Sequence, residues 1–442
     1  MRLTILGGGG FRVPLVYGAL LGDRGDGRVT QVTLYDPDPS RLTAIAGVLA
    51  EQASGLPDAP AVIATTEADD ALRGADFVFS AIRVGGLDGR ATDESVALAE
   101  GVLGQETTGA GGIAYGLRTV PVAMGYARRI AALAPDAWVI NFTNPAGLVT
   151  EAMSRLLGDR VIGICDSPVG LGRRAARAVG AAPGEAWIDY IGLNHLGWLR
   201  GLRVAGRDQL PRLMADSEAI GSFEEGRLFG AEWLRSLGAV PNEYLHYYYF
   251  NRETVQAYRS AVRTRGAFLR DQQAAFYADP SLKSWDATRS EREATYMAGS
   301  RDVAGAGERA ADDLGSGGYE QVALALMRAI ARDERATLIL NVRNRGTLSE
   351  LDQDAVIEVP CLVDANGAHP YAVDPLPGHA VGLVTAVKAV EREVLAAADS
   401  GSRATAVKAF ALHPLVDSVA VARRLVDGYT QQHPGLAYLN RK

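Results

Sequence analysis

The stretch RLTILGGGGFRVP, residues 2–14, passes from a short apolar run directly into four glycines. Residues 3–6 have the composition of a buried strand, and apolar spacing predicts a helix over residues 13–20. Glycines between such a strand and helix let a diphosphate approach the backbone at the helix N-terminus. The string lacks the third glycine of the G-x-G-x-x-G fingerprint in either register, so a glycine-rich turn before an ordinary helix stays the alternative. The residues assigned to cofactor binding are Gly7, Gly8, Gly9, Gly10 and Phe11.

Strand and helix patterns alternate through the first half of the chain. Six such strands with crossovers predict an α/β fold with a doubly wound parallel sheet of the Rossmann type, whose ligand lies beyond the carboxyl ends of the strands. Asp36 follows the second strand, where an acidic side chain can bond the adenosine ribose hydroxyls. A carboxylate there repels a 2′-phosphate, so the pattern favours NAD over NADP. The predicted strands cover residues 3–6, 31–35, 61–64, 76–82, 137–142 and 161–165.

The pattern changes after residue 187, where aromatic and charged helical stretches begin. We predict a NAD-binding domain at residues 1–187 and a second domain at residues 188–442 that serves substrate and metal binding and oligomerisation. Further strands are predicted at residues 337–342 and 355–363, and the chain after residue 380 has the apolar spacing of helices. The second domain is therefore expected to be mixed α+β and largely helical. No low-complexity linker separates the two, which indicates an active site at their junction.

Composition narrows the class of protein. The 442 residues are 48% hydrophobic and 22% charged, which is typical of a globular chain with a large core. A net charge of −7 gives no electrostatic reason to expect nucleic acid or an anionic membrane as a partner. No apolar run reaches the length of a membrane span. Cys165 and Cys361 are too few for a disulfide framework, so we expect reduced thiols and a cytoplasmic location. We expect a small-molecule substrate as the partner.

Polar side chains lie at or just after the ends of several predicted strands. The string AWVINFTNP carries Asn141 and Asn144, whose amides either shape a turn or face a cofactor or sugar hydroxyl. Cys165 closes the string VIGIC with Asp166 beside it, and His195 closes the string DYIGLNH. A thiolate and an imidazole at two strand ends suit one divalent metal. A buried cysteine that fills apolar space and a structural histidine stay the alternative.

Two further groups of residues have side chains suited to a catalytic or anion-binding role. The string PNEYLHYYYF holds Tyr244, Tyr247, Tyr248 and Tyr249. An aromatic cluster of this kind usually belongs to a core, but tyrosine acts as a base where a neighbouring metal or cation lowers its pKa. Arg83 follows the fourth strand, and Arg263 and Arg265 lie in the string RTRGAF. Arginines are mostly solvated, yet any at the cleft suit a bidentate grip on phosphate.

Taken in order, these strings resemble family 4 glycoside hydrolases, the NAD- and metal-dependent enzymes that include 6-phospho-β-glucosidases and 6-phospho-α-glucosidases. The resemblance rests on IRVGGLDGRATDE, GQETTGAGG, NFTNP, GICD, GLNHLGW, PNEYLHYYYF and the later NRG and IEVPCLV, which together span nearly the whole chain. It implies that Cys165 and His195 bind a metal, normally Mn²⁺, and that Tyr244 is the catalytic base. It also implies a homodimer or homotetramer.

The same resemblance implies roles for the remaining candidates. Asp166 matches the acid of the α-glucosidase branch. Arg83, Asn144 and Arg265 match positions that contact a phosphorylated sugar, with Arg265 on the phosphate. The implied activity is hydrolysis of 6-phospho-β-glucosides by oxidation at C3, removal of the C2 proton, elimination of the aglycone, addition of water and re-reduction.

Departures from the family pattern leave alternatives open. The β branch usually has Asn where Asp166 stands, whereas GQETTG, NFTNP and NRG look more like the β branch, so a 6-phospho-α-glucosidase stays the alternative. The segment after the glycines usually contains serine and threonine, and here it is FRVP. One alternative is a dehydrogenase of the lactate/malate type, which the first half of the chain also resembles. The pair of Cys165 and His195 argues against it, because such a dehydrogenase does not need these residues. A catalytically idle NAD-binding protein would not need that pair together with Tyr244 and the arginines.

Overall fold

The computed structural model describes residues 1–314 and 318–439. Within these residues thirteen strands form one mixed sheet in the order β10-β8-β7-β12-β11-β6-β5-β4-β1-β2-β3, with β13 beside β12 and β9 beside β8. The strands are β1 (Arg2–Leu6), β2 (Gln31–Tyr35), β3 (Ala61–Thr65), β4 (Phe77–Ser80), β5 (Trp138–Asn141), β6 (Val161–Gly163), β7 (Ala186–Leu193), β8 (Leu196–Val204), β9 (Arg207–Asp208), β10 (Val240–Pro241), β11 (Ala336–Arg343), β12 (Val356–Asp364) and β13 (Gly367–Pro370).

The first six strands confirm the predicted Rossmann-type sheet. They run in the order β3-β2-β1-β4-β5-β6 and all pair in parallel. Leu3, Ile5 and Leu6 of β1 are fully buried, because a strand in the middle of a parallel sheet is covered on both faces. Strand β6 ends at Gly163, two residues before the predicted end at Cys165. The side chains of Cys165 and its neighbours therefore belong to the loop beyond the strand.

Helices connect these parallel strands. In α1, Val16, Tyr17 and Leu20 are buried, and Pro14 stands in the first turn, where a missing N–H is tolerated. In α2 the side chain of Asp38 accepts hydrogen bonds from two backbone N–H groups of the first turn. The helices of this half are α1 (Val13–Leu21), α2 (Pro39–Gln52), α3 (Ala68–Leu72), α4 (Gly86–Ala99), α5 (Gly109–Leu133), α6 (Ala146–Leu157) and α7 (Ser167–Ala178).

The sheet continues into the second half through antiparallel pairs. Asn341 of β11 pairs with Gly163 of β6, and Glu358 of β12 pairs with Gly192 of β7. Strand β7 corresponds to the strand-like segment that ends at His195, and it forms a hairpin with β8, a strand that the sequence patterns did not predict. Because one sheet crosses residue 187, the two halves share a continuous core, and the domain boundary stays a prediction.

Helices make up most of the remaining chain, as expected from its apolar spacing. The middle helices are α8 (Leu210–Ala215), α9 (Ser217–Gly221), α10 (Glu224–Phe229), α11 (Ala231–Leu237), α12 (His246–Tyr249), α13 (Asn251–Ser260), α14 (Arg265–Ala278), α15 (Leu282–Ala294), α16 (Ala298–Ala304), α17 (Ala311–Leu314) and α18 (Tyr319–Arg332). The last three are α19 (Gly378–Ser400), α20 (Arg403–Leu412) and α21 (Val419–Gln432). They form a second apolar core with α4, α5 and α6. Among the described residues no helix combines the length and apolarity that crossing a membrane requires.

Candidate active site

A cavity of about 950 Å³ opens where loops of the first half meet helices of the second. It lies beyond the carboxyl ends of β1, β2, β4, β5 and β6, the position expected of a ligand site in a doubly wound sheet. Two of the predicted cofactor residues, Gly8 and Gly9, lie outside its lining. The predicted residues that line it are Gly7, Gly10, Phe11, Asp36, Arg83, Asn144, Cys165, Asp166, His195, Tyr244 and Arg265.

The glycine loop turns sharply between β1 and α1. Gly7 has a φ of +84°, a conformation that favours glycine, and a Cβ on Gly8 would lie 2.7 Å from Cα of Leu34 in the next strand. The loop therefore lies flat on the strand ends. No acceptor in the described chain contacts the backbone N–H groups of Phe11 and Arg12, which precede the first turn of α1. Two open donors at a helix N-terminus form a site for an anion.

Asp36 lies at the far side of this loop. Its carboxylate accepts hydrogen bonds from the backbone N–H of Gly9 at 3.2 Å and of Asp38 at 3.1 Å. Burial raises the pKa of Asp36 from its ordinary value, and Arg41 opposes that change. The carboxylate is thus fixed at the end of β2 and borders the cavity.

Side chains of the second half hold the glycine loop in place. The Tyr277 hydroxyl donates to the carbonyl of Gly9 at 2.7 Å, and the Trp285 indole N–H donates to the carbonyl of Phe11 at 2.8 Å. The Tyr319 hydroxyl donates to the carbonyl of Arg12 at 3.0 Å. These three bonds show that the cofactor loop and the helical half are built as one unit.

His195 occupies the turn of the β7–β8 hairpin with a φ of +62°, which is uncommon for a residue other than glycine. Such a backbone conformation persists where the surrounding structure enforces it, often at functional sites. Its Nδ1 forms a hydrogen bond with the Thr107 hydroxyl at 2.7 Å, which leaves Nε2 as the second ring nitrogen. Burial lowers the pKa of His195 to about 3, so the imidazole is neutral and able to bind a metal.

Cys165 lies buried in the loop after β6. Burial and the nearby carboxylates of Glu358 and Asp166 raise the pKa of its thiol well above the ordinary value. A divalent cation beside these groups would reverse that effect and stabilise the thiolate. In the part of the chain that is described, no group of three or more His, Cys, Asp and Glu side chains is arranged to hold a metal. Within the described residues the structure therefore offers a thiol and an imidazole in the lining of one cavity, and no complete set of protein ligands for a metal.

Tyr244 lies against the imidazole of His195. The two rings are parallel within 3° and their centres are 3.6 Å apart. The Tyr296 hydroxyl lies 3.1 Å from the Tyr244 oxygen and 3.1 Å from Oε1 of Glu243, and the Ser167 hydroxyl donates to the same carboxylate at 2.7 Å. Burial and the neighbouring Glu243 raise the pKa of Tyr244 well above its ordinary value. The phenol is therefore protonated unless a cation stabilises its charged form.

The other tyrosines of the cluster occupy different environments. Tyr247 borders the cavity, and its hydroxyl lies 3.2 Å from that of Tyr258. Tyr248 packs beside the ring of His413 outside the cavity lining. Tyr249 accepts a hydrogen bond from the indole N–H of Trp198 at 3.0 Å and also lies outside the lining. Tyr244 is distinguished from the other three by its contact with His195.

The two asparagines of the string NFTNP have different roles. Asn141 is fully buried, and its amide donates to the carbonyls of Thr143 and Ala146 and to the hydroxyl of Thr150, at 3.1–3.2 Å. Asn141 thus shapes the turn after β5, the first of the two roles considered for it. Asn144 borders the cavity, where its amide is available to a ligand.

Arg83 lies in the cavity lining but is paired. It donates to Oε1 of Glu106, while Arg90 donates to the other oxygen of that carboxylate at 2.6 Å. These two arginines hold the pKa of Glu106 far below its ordinary value. Arg90 is in turn bonded to Glu94 at 2.9 Å. The charge of Arg83 is therefore largely balanced inside the protein.

Arg265 lies at the start of α14 and faces a second arginine that sequence reasoning missed. It donates to the hydroxyl of Thr295 at 2.7 Å and to the backbone carbonyl of Arg292 at 2.9 Å. Burial and the repulsion of Arg90 lower the pKa of Arg265 to about 10, and burial and Arg12 lower that of Arg292 to about 9. Burial is the larger cause for both residues, and repulsion between neighbouring arginines adds to it. An anionic ligand beside Arg265 and Arg292 would oppose both effects.

Several other wall residues were also missed. Glu106, Glu243 and Tyr296 border the cavity, as do Arg12 and Arg292. Glu106 lies in a loop and Glu243 in a short helix at Glu243–Leu245, and isolated residues of this kind carry no local spacing signal. Arg12 alone had one, because FRVP departs from the family segment after the glycines.

A dinucleotide-type sheet joined to a polar cavity with a thiol, an imidazole, a tyrosine and arginines defines an enzyme of the Rossmann class. Comparison with protein families gives the particular group. The model "Family 4 glycosyl hydrolase" matches residues 2–181, and the model "Family 4 glycosyl hydrolase C-terminal domain" matches residues 190–416. The chain belongs to family 4 of the glycosyl hydrolases, as its sequence strings indicate, and the dehydrogenase interpretation is not retained.

Individual relatives carry both anomeric names. The chain is 31% identical to a probable 6-phospho-beta-glucosidase of Bacillus subtilis, over 99% of this chain and 97% of that protein. It is 30% identical to 6-phospho-alpha-glucosidase 1 of Lacticaseibacillus paracasei, over 96% of this chain and 95% of that protein. The structure of the 6-phospho-beta glucosidase of Thermotoga maritima with manganese, NAD⁺ and glucose-6-phosphate is similar at a TM-score of 0.83, with 27% identity and 98% of each chain covered. The malate dehydrogenase of Plasmodium falciparum shares the fold alone, with a TM-score of 0.53, 13% identity, and 90% of this chain and 98% of that chain covered.

Proposed function

We propose that this enzyme hydrolyses 6-phosphoglucosides, with NAD and a divalent metal, normally Mn²⁺, as resident cofactors. The observation that carries the proposal is the stack of Tyr244 on His195 inside a cavity that is also lined by the open end of α1 and by Arg265 and Arg292. The similar Thermotoga maritima enzyme, solved with manganese, NAD⁺ and glucose-6-phosphate, supports the same set of ligands.

The residues of the glycine loop fit NAD. The open N–H groups of Phe11 and Arg12 suit its diphosphate, and Asp36 suits the adenosine ribose hydroxyls. A Cβ at Gly10 would lie 2.9 Å from the carbonyl oxygen of Gly7, so a larger residue would push the turn out of shape. When bound, NAD would supply reversible hydride transfer at C3 of the sugar, and the C3 ketone formed in this way would make the C2 proton acidic.

The donor set at the cavity wall fits a divalent metal. We assign Cys165 and His195 as its protein ligands, since a thiolate and a neutral imidazole suit such ions and leave other positions open to water and substrate. The bond from Thr107 to Nδ1 fixes the His195 ring so that Nε2 is the ligating nitrogen. The metal supplies Lewis-acid stabilisation of negative charge on the sugar oxygens.

The chain's own residues supply the proton transfers. Tyr244, whose oxygen lies next to Tyr296, removes the proton from C2. Asp166, beside Cys165 in the cavity lining, protonates the departing aglycone oxygen. Arg265 binds the phosphate of the sugar, and Asn144 and Arg83 contact its hydroxyls.

The β anomer is our first candidate, because the strings GQETTG, NFTNP and NRG look like those of β-glucosidases. The α anomer is a second candidate, which Asp166 favours because the β branch usually has Asn there. The relatives include enzymes named for either anomer. Anomeric preference is therefore a matter for direct assay.

The test is a panel of p-nitrophenyl α- and β-glucosides, each with and without a 6-phosphate, assayed with NAD and Mn²⁺. We expect hydrolysis of a phosphorylated glucoside that depends on both cofactors without net formation of NADH. Hydrolysis in D₂O should place deuterium at C2 of the product. Full activity in a preparation stripped of NAD and metal, or complete absence of C2 exchange, contradicts the proposal.

A Cys165→Ser variant tests the metal assignment. It should lose Mn²⁺ binding and rate while its Kd for NAD stays near the wild-type value, because the dinucleotide loop is a separate part of the cavity. A variant that keeps both metal and rate would make Cys165 a packing residue. We also propose a homodimer or homotetramer in the cytoplasm, and light scattering of the purified protein measures the oligomeric state.

A further inference from the structure

Arg12 stands between the glycine loop and α1, and its side chain extends over two stacked rings. Its guanidinium carbon lies 5.5 Å from the ring centre of Phe142 and 5.1 Å from that of Tyr319. The two rings are themselves stacked at 4.0 Å between centres and 16° between planes. A cation above aromatic rings is stabilised while its N–H groups remain free to bind other partners.

The Arg12 guanidinium makes no hydrogen bond or ion pair with any described residue, although it borders the cavity. Three other arginines of the cavity lining are engaged by protein groups. Arg83 and Arg90 bind Glu106, and Arg265 binds Thr295 and a backbone carbonyl. All five N–H donors of Arg12 are therefore available to a ligand.

A second open donor lies on Arg292. Its buried Nε has no hydrogen-bond partner in the described chain and lies 4.0 Å from Oε1 of Glu293. Burial and repulsion from Arg12 lower the Arg292 pKa. Arg265 is bonded to the backbone carbonyl of the same Arg292. Three arginines from three separate segments are thus close enough to interact electrostatically. Within the described residues, neither the Arg12 guanidinium nor Nε of Arg292 makes a hydrogen bond.

The position of the Arg12 side chain indicates which ligand it faces. The Arg12 backbone belongs to the dinucleotide loop, but the side chain extends over Phe142, which follows β5, and is close enough to Asp166, which follows β6, to interact with its charge. Asp36, the expected contact of the adenosine ribose, follows β2 at the other side of β1. The guanidinium is thus on the side of the sheet where Cys165 and Asp166 place the sugar.

We propose that Arg12 and Nε of Arg292 bind the phosphate of the sugar substrate alongside Arg265 and thereby set the preference for phosphorylated glucosides. The assignment rests on the proposed function. Arg12 is the one charged residue of the segment FRVP, which lacks hydroxyl side chains. The geometry suits a bidentate grip, because a guanidinium presents paired N–H groups to two phosphate oxygens.

The experiment measures ligand affinities by titration calorimetry on the full chain with Mn²⁺ present. The probes are glucose 6-phosphate and glucose, each with saturating NAD, and NAD alone. The variants are Arg12→Met, which keeps an apolar side chain over the rings, and Arg12→Lys, which keeps the charge without the fork. Arg289→Met is the matched control, because Arg289 also packs over an aromatic ring but lies outside the cavity lining.

We expect Arg12→Met to weaken glucose 6-phosphate binding about 10- to 100-fold, the loss typical of charge-assisted hydrogen bonds, with glucose and NAD affinities within about 3-fold of wild type. Arg12→Lys should fall between, and Arg289→Met should match wild type. A drop in NAD affinity of the same size, with glucose 6-phosphate still preferred over glucose, would assign Arg12 to the dinucleotide diphosphate and overturn the inference.

Unchanged affinities in folded Arg12→Met and Arg12→Lys proteins would overturn the inference and leave the proposed function standing. A wild-type enzyme that binds glucose 6-phosphate no better than glucose would contradict both. Thermal unfolding of each variant shows whether it is folded. If Arg12→Met does not fold, the comparison of Arg12→Lys with wild type decides.

Discussion

Replacing Tyr244 with Phe removes one oxygen and leaves the ring that stacks on His195 at 3.6 Å. The structural cost is one neutral hydrogen bond, to Tyr296 at 3.1 Å, worth about 1 kcal/mol. Tyr296 keeps its contact with Glu243. A domain with a typical stability of about 5–15 kcal/mol stays almost entirely folded after such a loss. Unfolding therefore cannot account for a large fall in rate.

The catalytic cost is of a different size. Loss of a general base lowers kcat by about 10²- to 10⁴-fold, which is roughly 3–5 kcal/mol of barrier. Because the ring still fills its place beside His195, KM and the affinities for Mn²⁺ and NAD should change little. The assay is steady-state kinetics on the phosphorylated glucoside selected by the panel, with thermal unfolding measured on the same preparations.

Tyr249→Phe is the matched control, since it also removes one hydroxyl that makes one hydrogen bond, here with Trp198 at 3.0 Å. It lies outside the cavity lining and should lower Tm while leaving kcat near the wild-type value. Near-wild-type kcat in Tyr244→Phe would remove Tyr244 from the proton transfer. An equal loss of kcat in Tyr249→Phe would show that disturbed packing, and not the missing base, slows the reaction.

Three further predictions concern the metal, the cofactor and pH. Thr107→Val removes the bond to Nδ1 of His195 and should weaken Mn²⁺ binding about 10- to 100-fold without changing NAD affinity, as measured by metal titration; unchanged metal affinity would exclude an orienting role. Asp36→Asn should weaken NAD binding about 10-fold and narrow the preference over NADP, since repulsion of a 2′-phosphate is removed; an unaltered NAD/NADP ratio of Kd values would contradict the assignment. Burial lowers the pKa of His246 and of His413 to about 4, against 6.5 when unfolded, so between pH 6.5 and 4 the unfolded chain binds more protons than the folded one. The free energy of unfolding of the metal-free protein should therefore fall as pH decreases through that window, by up to about 3 kcal/mol for each histidine. Urea unfolding of wild type and of a His413→Gln variant measures this pH dependence. An equal pH dependence in the two proteins would refute the contribution of His413.

Much of the fold follows from local patterns. The apolar run before Gly7 and the acidic residue after the second strand are read directly from the sequence, because strand burial and glycine turns depend on neighbouring residues. All six predicted parallel strands exist, with ends that differ by at most two residues. The β7–β8 hairpin was missed, since its turn at His195 holds no glycine signal.

Only part of the site could be predicted from the sequence. Family strings identified Cys165, His195 and Tyr244 as candidates, but nothing in their spacing shows that the tyrosine ring lies flat on the imidazole. That contact joins residues 49 positions apart, through a hairpin turn and a short helix at Glu243–Leu245.

The sequence by itself determined the Rossmann sheet, the family and the chemical types of the site residues, because these depend on local order along the chain. Only the tertiary structure decided which arginines are free. Arg83 is paired with Glu106, whereas Arg12 packs on Phe142 and Tyr319 and has no hydrogen bond or ion pair with a described residue. The physical reason is that an ion pair depends on distance in space, and residues 12, 142 and 319 come together only when the sheet and the second half close over one cavity.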